Sequence, residues 1–185
     1  MPKLKRKLTW KTHKARWKEC ELCDLCESRS SVVLLKGKIP CDVLFVGEAP
    51  GQSEDTLGKP FVGPAGHLLE RMIENANPGE ARVAFTNVIS CIPLGSDGRK
   101  VKEPPKDSVT ACSDRLDEVL RLCKPDWLVG VGKLSDSVIE ERYSEKGYGI
   151  ESIIHPAAIL RADVSQKGLA IQRTEIILRD LFDSI

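Results

Sequence analysis

"DVLFVGEAPGQSEDTLGKPFVGPAGHLLERMI", residues 42–73, passes from a short apolar run through a loop rich in glycine and proline into an amphipathic segment. The run 42–47 is too short for a buried helix and rich in β-formers, so it predicts a buried strand. Pro64 suits the first turn of a helix, and Leu68, Leu69, Met72 and Ile73 follow at helical spacing, which predicts a helix over 64–76. Residues 45–73 hold five glycines and three prolines, a backbone freed to approach something closely. Strand, loop and helix in that order make one unit of an α/β sheet.

The alternation continues on both sides. Toward the amino terminus a helix is expected somewhere within 9–26. Beyond the loop, strands are predicted at 82–88, 126–131 and 150–154, with helices over 106–123, after the Pro104-Pro105 stop, and 135–141. The chain closes on an amphipathic helix with Ile171, Leu178, Leu181, Phe182 and Ile185 on one face. The segment 93–106, PLGSDGRKVKEPPK, is a polar, turn-rich insertion. At 185 residues and 41% hydrophobic content, one domain over 1–185 is expected. No apolar run approaches the length of a membrane span and no signal segment opens the chain, so a soluble, cytoplasmic monomer without membrane contact is expected.

Net charge is only +1, but residues 1–18 hold eight Lys or Arg, no acid, and Trp10 and Trp17. This basic segment either faces an anionic partner or is a solvated tail with its tryptophans docked on the body. Seven cysteines in such a chain point to metal or cluster ligation rather than disulfides. Cys20 and Cys23 form a C-x-x-C pair, which alone is compatible with zinc, an iron-sulfur cluster, a redox pair or buried thiols.

Ligands of parallel α/β sheets bind beyond the carboxyl ends of the strands. There the sequence places GEAPG (47–51), Asn87, and His155-Pro156. Three polar signals at one sheet edge point to a site.

These residues resemble the family 4 uracil-DNA glycosylases, the iron-sulfur branch of that superfamily. CELCDLCESRSSVV (20–33) is similar to the family's cysteine element, GEAPGQSEDTLGKPFVGPAGHLL (47–69) to its first active-site motif, TNVISC (86–91) to its second and HPAAILR (155–161) to its third. The resemblance implies a three-layer α/β/α fold with a central four-stranded parallel sheet. It also implies a 4Fe-4S cluster on Cys20, Cys23, Cys91 and Cys112, and hydrolysis of the N-glycosidic bond of uracil in DNA, the first step of base excision repair.

Residue roles follow from the same resemblance. Gly47, Glu48, Ala49 and Gly51 would close main-chain groups around an everted base, Phe61 would stack on it, and Asn87 would read its O4 and N3 edge. His155 would donate to O2 as negative charge develops there. Ala49 stands where a better-known branch has a water-activating Asp, which leaves Glu48 and Glu54 as carboxylates. Glu54 would wall the pocket or orient water. Ile159 or Leu160 would replace the base in the stack, and Arg161 would contact phosphate. Arg99, Lys100 and Lys102 of the insertion would add DNA contacts, and that insertion makes the interval from Cys91 to Cys112 longer than usual. Histidines occur only at 13, 67 and 155, which disfavours covalent trapping of the kind that uses a histidine in this loop. Ala157 replaces the usual Ser of the third motif, and the segment before His155 is short. The alternative is a cluster-bearing DNA-binding member that has lost activity or acts on another modified pyrimidine.

Overall fold

The computed structural model describes residues 7–77, 79, 81–94, 98 and 104–185. In chain order these form α1 (Trp10–Trp17), β1 (Lys36–Gly37), β2 (Val43–Gly47), α2 (Gln52–Leu57), α3 (Pro64–Ala76), β3 (Val83–Asn87), α4 (Lys106–Ala111) and α5 (Ser113–Cys123). There follow β4 (Trp127–Val131), α6 (Lys133–Tyr143), β5 (Gly149–Ile153), α7 (Pro156–Arg161) and α8 (Val164–Asp183), and short 3-10 turns occupy Asp24–Glu27 and Ser144–Lys146.

The sheet order is β1-β3-β2-β4-β5. Strands β2 to β5 are the four predicted ones, and all pair in parallel. Alternation along β2 sorts the layers, because successive side chains leave opposite faces. Leu44 and Val46 join a core with Leu116, Val119, Leu128 and Ile139; Val43 and Phe45 join another with Leu69, Met72, Phe85 and Leu178. Helices α5 and α6 therefore cover one face and α3, α7 and α8 the other, giving the expected three layers.

Four points depart from the sequence reading. The sheet has a fifth strand, β1, which lies antiparallel to β3 at the edge, with Lys36 opposite Phe85. The helix expected over 106–123 is divided at Cys112, whose φ of −85° and ψ of −4° separate α4 from α5. Two short helices, α2 and α7, are additional to those expected, and α2 lies within the stretch read as loop. Ile185 lies beyond the last helix and is exposed, so it does not complete the α8 stripe.

The tryptophan question is answered for the described part of the amino-terminal segment. Trp17 is buried and its Nε1 donates to Glu118 Oε2 at 2.7 Å, while the buried His13 places Nδ1 2.8 Å from the same oxygen. Trp10 stacks on the His13 ring, centroids 5.5 Å apart. Helix α1 is thus docked on α5, with Lys11, Lys14 and Lys18 exposed. Arg99, Lys100 and Lys102 lie outside the described residues.

Candidate active site

The carboxyl ends of β2 to β5 open into a cleft of about 1070 Å³, lined among others by Glu48, Glu54, Phe61, Asn87, His155 and Arg161. Strand order reverses at β2, whose neighbours β3 and β4 lie on either side, so the cleft sits at a topological switch point. Its volume is at the upper end of the range for small-molecule sites.

Gly47 ends β2 directly beside Asn87 in the sheet register. A Cβ at Gly47 would collide with Asn87 Oδ1 and stand 2.7 Å from Phe61 Cζ. The missing side chain lets the Asn87 amide and the Phe61 ring converge. Asn87 is buried and held by its main chain: Val88 N donates to Gly47 O at 2.8 Å, and Arg115 Nη2 donates to Asn87 O at 2.5 Å. Arg115 is itself buried and also donates to Thr86 Oγ1 at 2.9 Å and Val88 O at 2.7 Å.

Phe61 has φ +54°, a left-handed conformation that costs a non-glycine residue about 1–3 kcal/mol and persists where surroundings over-determine it. Its surroundings do so. Glu54 Oε1 accepts from Val62 N at 3.1 Å and Gly63 N at 2.8 Å, and its Oε2 accepts from Gly51 N at 3.1 Å. Lys36 Nζ donates to Phe61 O at 2.8 Å, and Gly66 of α3 lies so close beneath the Phe61 main chain that a Cβ there would collide with it. The Phe61 ring rests against Phe85, centroids 5.5 Å apart. Next to Glu54, the buried Asp55 accepts from Ser30 N and Ser31 N, tying the cysteine element to the same short helix.

His155 caps α7: its Nδ1 accepts from Ala157 N at 3.1 Å. An Nδ1 that accepts leaves the ring proton on Nε2. Burial, and then the Arg161 charge, hold the imidazole below its ordinary 6.5 against an opposing pull from Glu54, so the ring is neutral at pH 7.

Not every candidate stands where the sequence reading put it. Ile159 is fully buried in the core beneath α7 and Leu160 is half-buried against the same cluster. A six-residue helix turns Ile159 inward, which removes it from the cleft surface. Ile154, on the other side of His155, is the large apolar residue that both lines the cleft and is exposed, at 49%. Arg161 is exposed at the rim. Lys36, Asp55 and Arg115 escaped the sequence reading because their partners are distant in the chain.

The four cysteines of the expected ligand set share one region. Burial, above all, pushes the Cys91 thiol up to about 12, with Arg29 pulling down and Cys112, Cys23 and Cys20 pushing up through their charge. Among the described residues no group of three or more ligating side chains closes around one metal ion. A cluster of several irons holds its thiolates further apart than a single ion does, and other features fit one. Arg29 Nη1 and Arg115 Nε are buried guanidinium nitrogens with no hydrogen-bond partner among the described residues. Burial lowers the Arg115 pKa, while Cys112, Tyr143 and Cys91 oppose that through their charge, so a buried cation lies beside the thiols. Two guanidiniums beside the thiols, each with one nitrogen still unpaired among the described residues, suit an anionic thiolate-bound group. Cys41 and Cys123 are buried in the core, where a mutual hydrogen bond, burial and charge keep the Cys41 thiol protonated.

Comparison with known proteins agrees with this geometry. The family model for the uracil DNA glycosylase superfamily matches residues 36–176. Type-4 uracil-DNA glycosylases of Sulfurisphaera tokodaii, Pyrobaculum aerophilum and Archaeoglobus fulgidus are 37%, 33% and 32% identical, over 72%, 78% and 76% of this chain. The matches span 58%, 81% and 78% of those proteins, so this chain accounts for little over half of the first. The crystal structure of Pedobacter heparinus SMUG2 superposes with a TM-score of 0.59 at 15% identity, over 77% of this chain and 76% of that one, which shows a shared fold. By fold, motif placement and sequence, the chain belongs to the uracil DNA glycosylase superfamily, in its type-4 branch.

Proposed function

We propose that this protein excises uracil from DNA by hydrolysing the N-glycosidic bond. The observation that carries the reading is the convergence of the buried Asn87 amide, the Phe61 ring and the neutral His155 on one cleft, at a point where Gly47 has no side chain. The relatives at 32–37% identity support it.

A uracil in duplex must leave the stack to reach this cleft, at a cost of a few kcal/mol. Phe61 then offers its face to the ring. Asn87 accepts from N3–H and donates to O4, a pattern that cytosine mismatches. As the bond to C1' lengthens, charge accumulates on O2, and the His155 Nε2–H donates to it. A neutral imidazole has a proton to offer there while Nδ1 stays engaged by Ala157. Glu54 acts as scaffold, because its two oxygens already accept three main-chain amides. Glu48, directly after Gly47, lines the cleft and orients the water that adds to the sugar. Ile154 fills the gap in the stack and Arg161 holds a flanking phosphate.

Cys20, Cys23, Cys91 and Cys112 would hold a 4Fe-4S cluster, with the Arg29 and Arg115 guanidiniums beside its thiols. The cluster would supply a tie between the amino-terminal element and the segment after β3, and no step of hydrolysis passes through it. The free cysteines suit a reducing, intracellular compartment. Among the described residues no helix is long and apolar enough to cross a membrane. The protein is assigned as a monomer, with exposed Lys11, Lys14 and Lys18 and the 99–102 insertion contributing non-specific affinity for the DNA backbone.

The test is incubation of the purified protein with oligonucleotides carrying a single uracil, followed by alkaline cleavage of abasic sites. Cleavage at uracil and not at cytosine or thymine is expected. Absence of cleavage by cluster-containing protein on both single and double strands would overturn the assignment in favour of a DNA-binding protein without this activity.

A further inference from the structure

We propose that Lys36 is a positioning residue for the base-stacking ring of Phe61, delivered to it by the short antiparallel edge strand β1. The proposal rests on the reading of the cleft as a uracil site and adds a residue to it.

Phe61 can present its ring only while its main chain keeps the left-handed conformation, φ +54°, that an aromatic residue otherwise avoids. Most of what holds it there comes from the active-site segment itself: Glu54 takes the amides of Val62 and Gly63, Gly66 leaves room beneath, and Gly47 leaves room for the ring edge. Another polar group of the turn, the Phe61 carbonyl, is held from outside that segment. Lys36 Nζ donates to it at 2.8 Å.

The ammonium is fixed in three directions. It bonds the Phe61 carbonyl, pairs with Glu70 Oε1 of α3 at 2.8 Å, and lies 5.1 Å from the centroid of the Phe85 ring. Phe85 is also the ring against which Phe61 packs and the residue opposite Lys36 in the β1–β3 register. The lysine side chain is only 21% exposed, unlike a solvated surface cation. One position on β1 thus touches the carbonyl, the supporting helix and the supporting ring of a single strained residue. A strand of two residues adds little to the sheet but sets this side chain in register.

Release of the carbonyl would let the 61–62 peptide rotate out of the left-handed region and carry the ring away from the base. The effect belongs to uracil recognition, not to general DNA affinity, because Lys36 reaches the substrate only through Phe61.

The experiment uses the full chain with its absorbance near 400 nm unchanged, and compares wild type, Lys36→Met, Lys36→Arg, Phe61→Ala and the Lys36→Met/Phe61→Ala double variant. Free uracil binding is followed by ligand-observed NMR, single-turnover base release on a uracil oligonucleotide, and affinity for a uracil-free duplex. Lys36→Met is expected to weaken uracil binding and slow release by about tenfold each without altering uracil-free affinity, in keeping with the sensitivity of catalysis to small misplacements. Lys36→Arg should recover release to within about threefold of wild type, since it keeps a donor and a charge. In the Phe61→Ala background, Lys36→Met should add no further loss. Wild-type behaviour of Lys36→Met, or its full loss on top of Phe61→Ala, would overturn the positioning role alone. A wild type that neither binds nor releases uracil would overturn the reading of the cleft, and this proposal with it.

Discussion

Arg115 Nη2 donates to the main-chain carbonyl of Asn87 at 2.5 Å, so the side chain assigned to read the base is anchored through a fully buried guanidinium three residues after Cys112. Arg115→Met should fit the volume but leave three oxygens, of Thr86, Asn87 and Val88, without their donor. Such losses cost about 1–3 kcal/mol per group. A total destabilisation of roughly 3–5 kcal/mol is expected in denaturant titrations, the sum for three buried acceptors that lose their donor. Uracil-to-cytosine discrimination should also narrow.

His155→Ala should bind uracil-containing DNA nearly as well as wild type yet release the base at least roughly a hundredfold more slowly, since a donor to a developing anion acts mainly in the transition state. Single-turnover rates beside equilibrium binding decide this. Equal losses in both would assign His155 to ground-state recognition instead.

Glu54→Gln separates scaffold from base. The amide keeps one oxygen for Val62 and Gly63 but presents a donor to the Gly51 amide in place of an acceptor. A lowered thermal midpoint and weaker uracil binding, with the chemical step reduced less than about tenfold, are expected of a scaffold. Unchanged stability with a loss of about a hundredfold or more is what a general base would show.

Cys112→Ser should abolish the broad absorbance near 400 nm and the iron content, whereas Cys26→Ser should retain both. Cys26 lies outside the ligand set that the resemblance implies. Iron and zinc analysis of anaerobically purified protein checks the assignment, and stoichiometric zinc without iron would refute the cluster.

Acid should destabilise the protein in two stages. Burial depresses the His13 pKa from its ordinary 6.5, outweighing the Glu118 hydrogen bond. The unfolded chain therefore binds the proton first, and stability begins to fall as pH drops below about 6.5. Glu118, although burial pushes it up, is held below its ordinary value by hydrogen bonds from Trp17 and His13 and by Arg16. Its contribution is present above its ordinary 4.5 and is lost as pH falls further. His13→Phe should flatten the first stage selectively, read as thermal midpoint against pH between 7 and 5. His155, which is also depressed, should leave a residual slope there.

The parallel strands and the residues at their ends could be read from the sequence because burial on both faces writes each strand as a short apolar run. The site then follows from topology, since Gly47, Asn87 and His155 each stand at or just beyond a strand end. Strand β1 escaped because two residues carry no period. Helix α2 escaped because QSEDTL has no apolar stripe: its contribution is made by Glu54 and Asp55 through main-chain amides. The stacking role that the resemblance implies for Ile159 does not fit its place, because α7 turns that residue into the core and leaves Ile154 at the surface. Lys36 and Arg115 look like ordinary charged residues in sequence, and their meaning lies in partners 25 and 28 positions away.

The clasp between α1 and α5 joins residues 105 positions apart, His13 to Glu118. The ribosome therefore releases one end of it long before the other exists. Throughout that interval Cys20 and Cys23 emerge without Cys91 and Cys112, and His13 and Trp17 without the carboxylate that receives them. Domains complete their packing only as such distant segments arrive. Translation past residue 118 is thus the earliest moment at which α1 can dock on α5, which makes co-translational timing, and not only ligand chemistry, a condition for the four proposed ligands to come together.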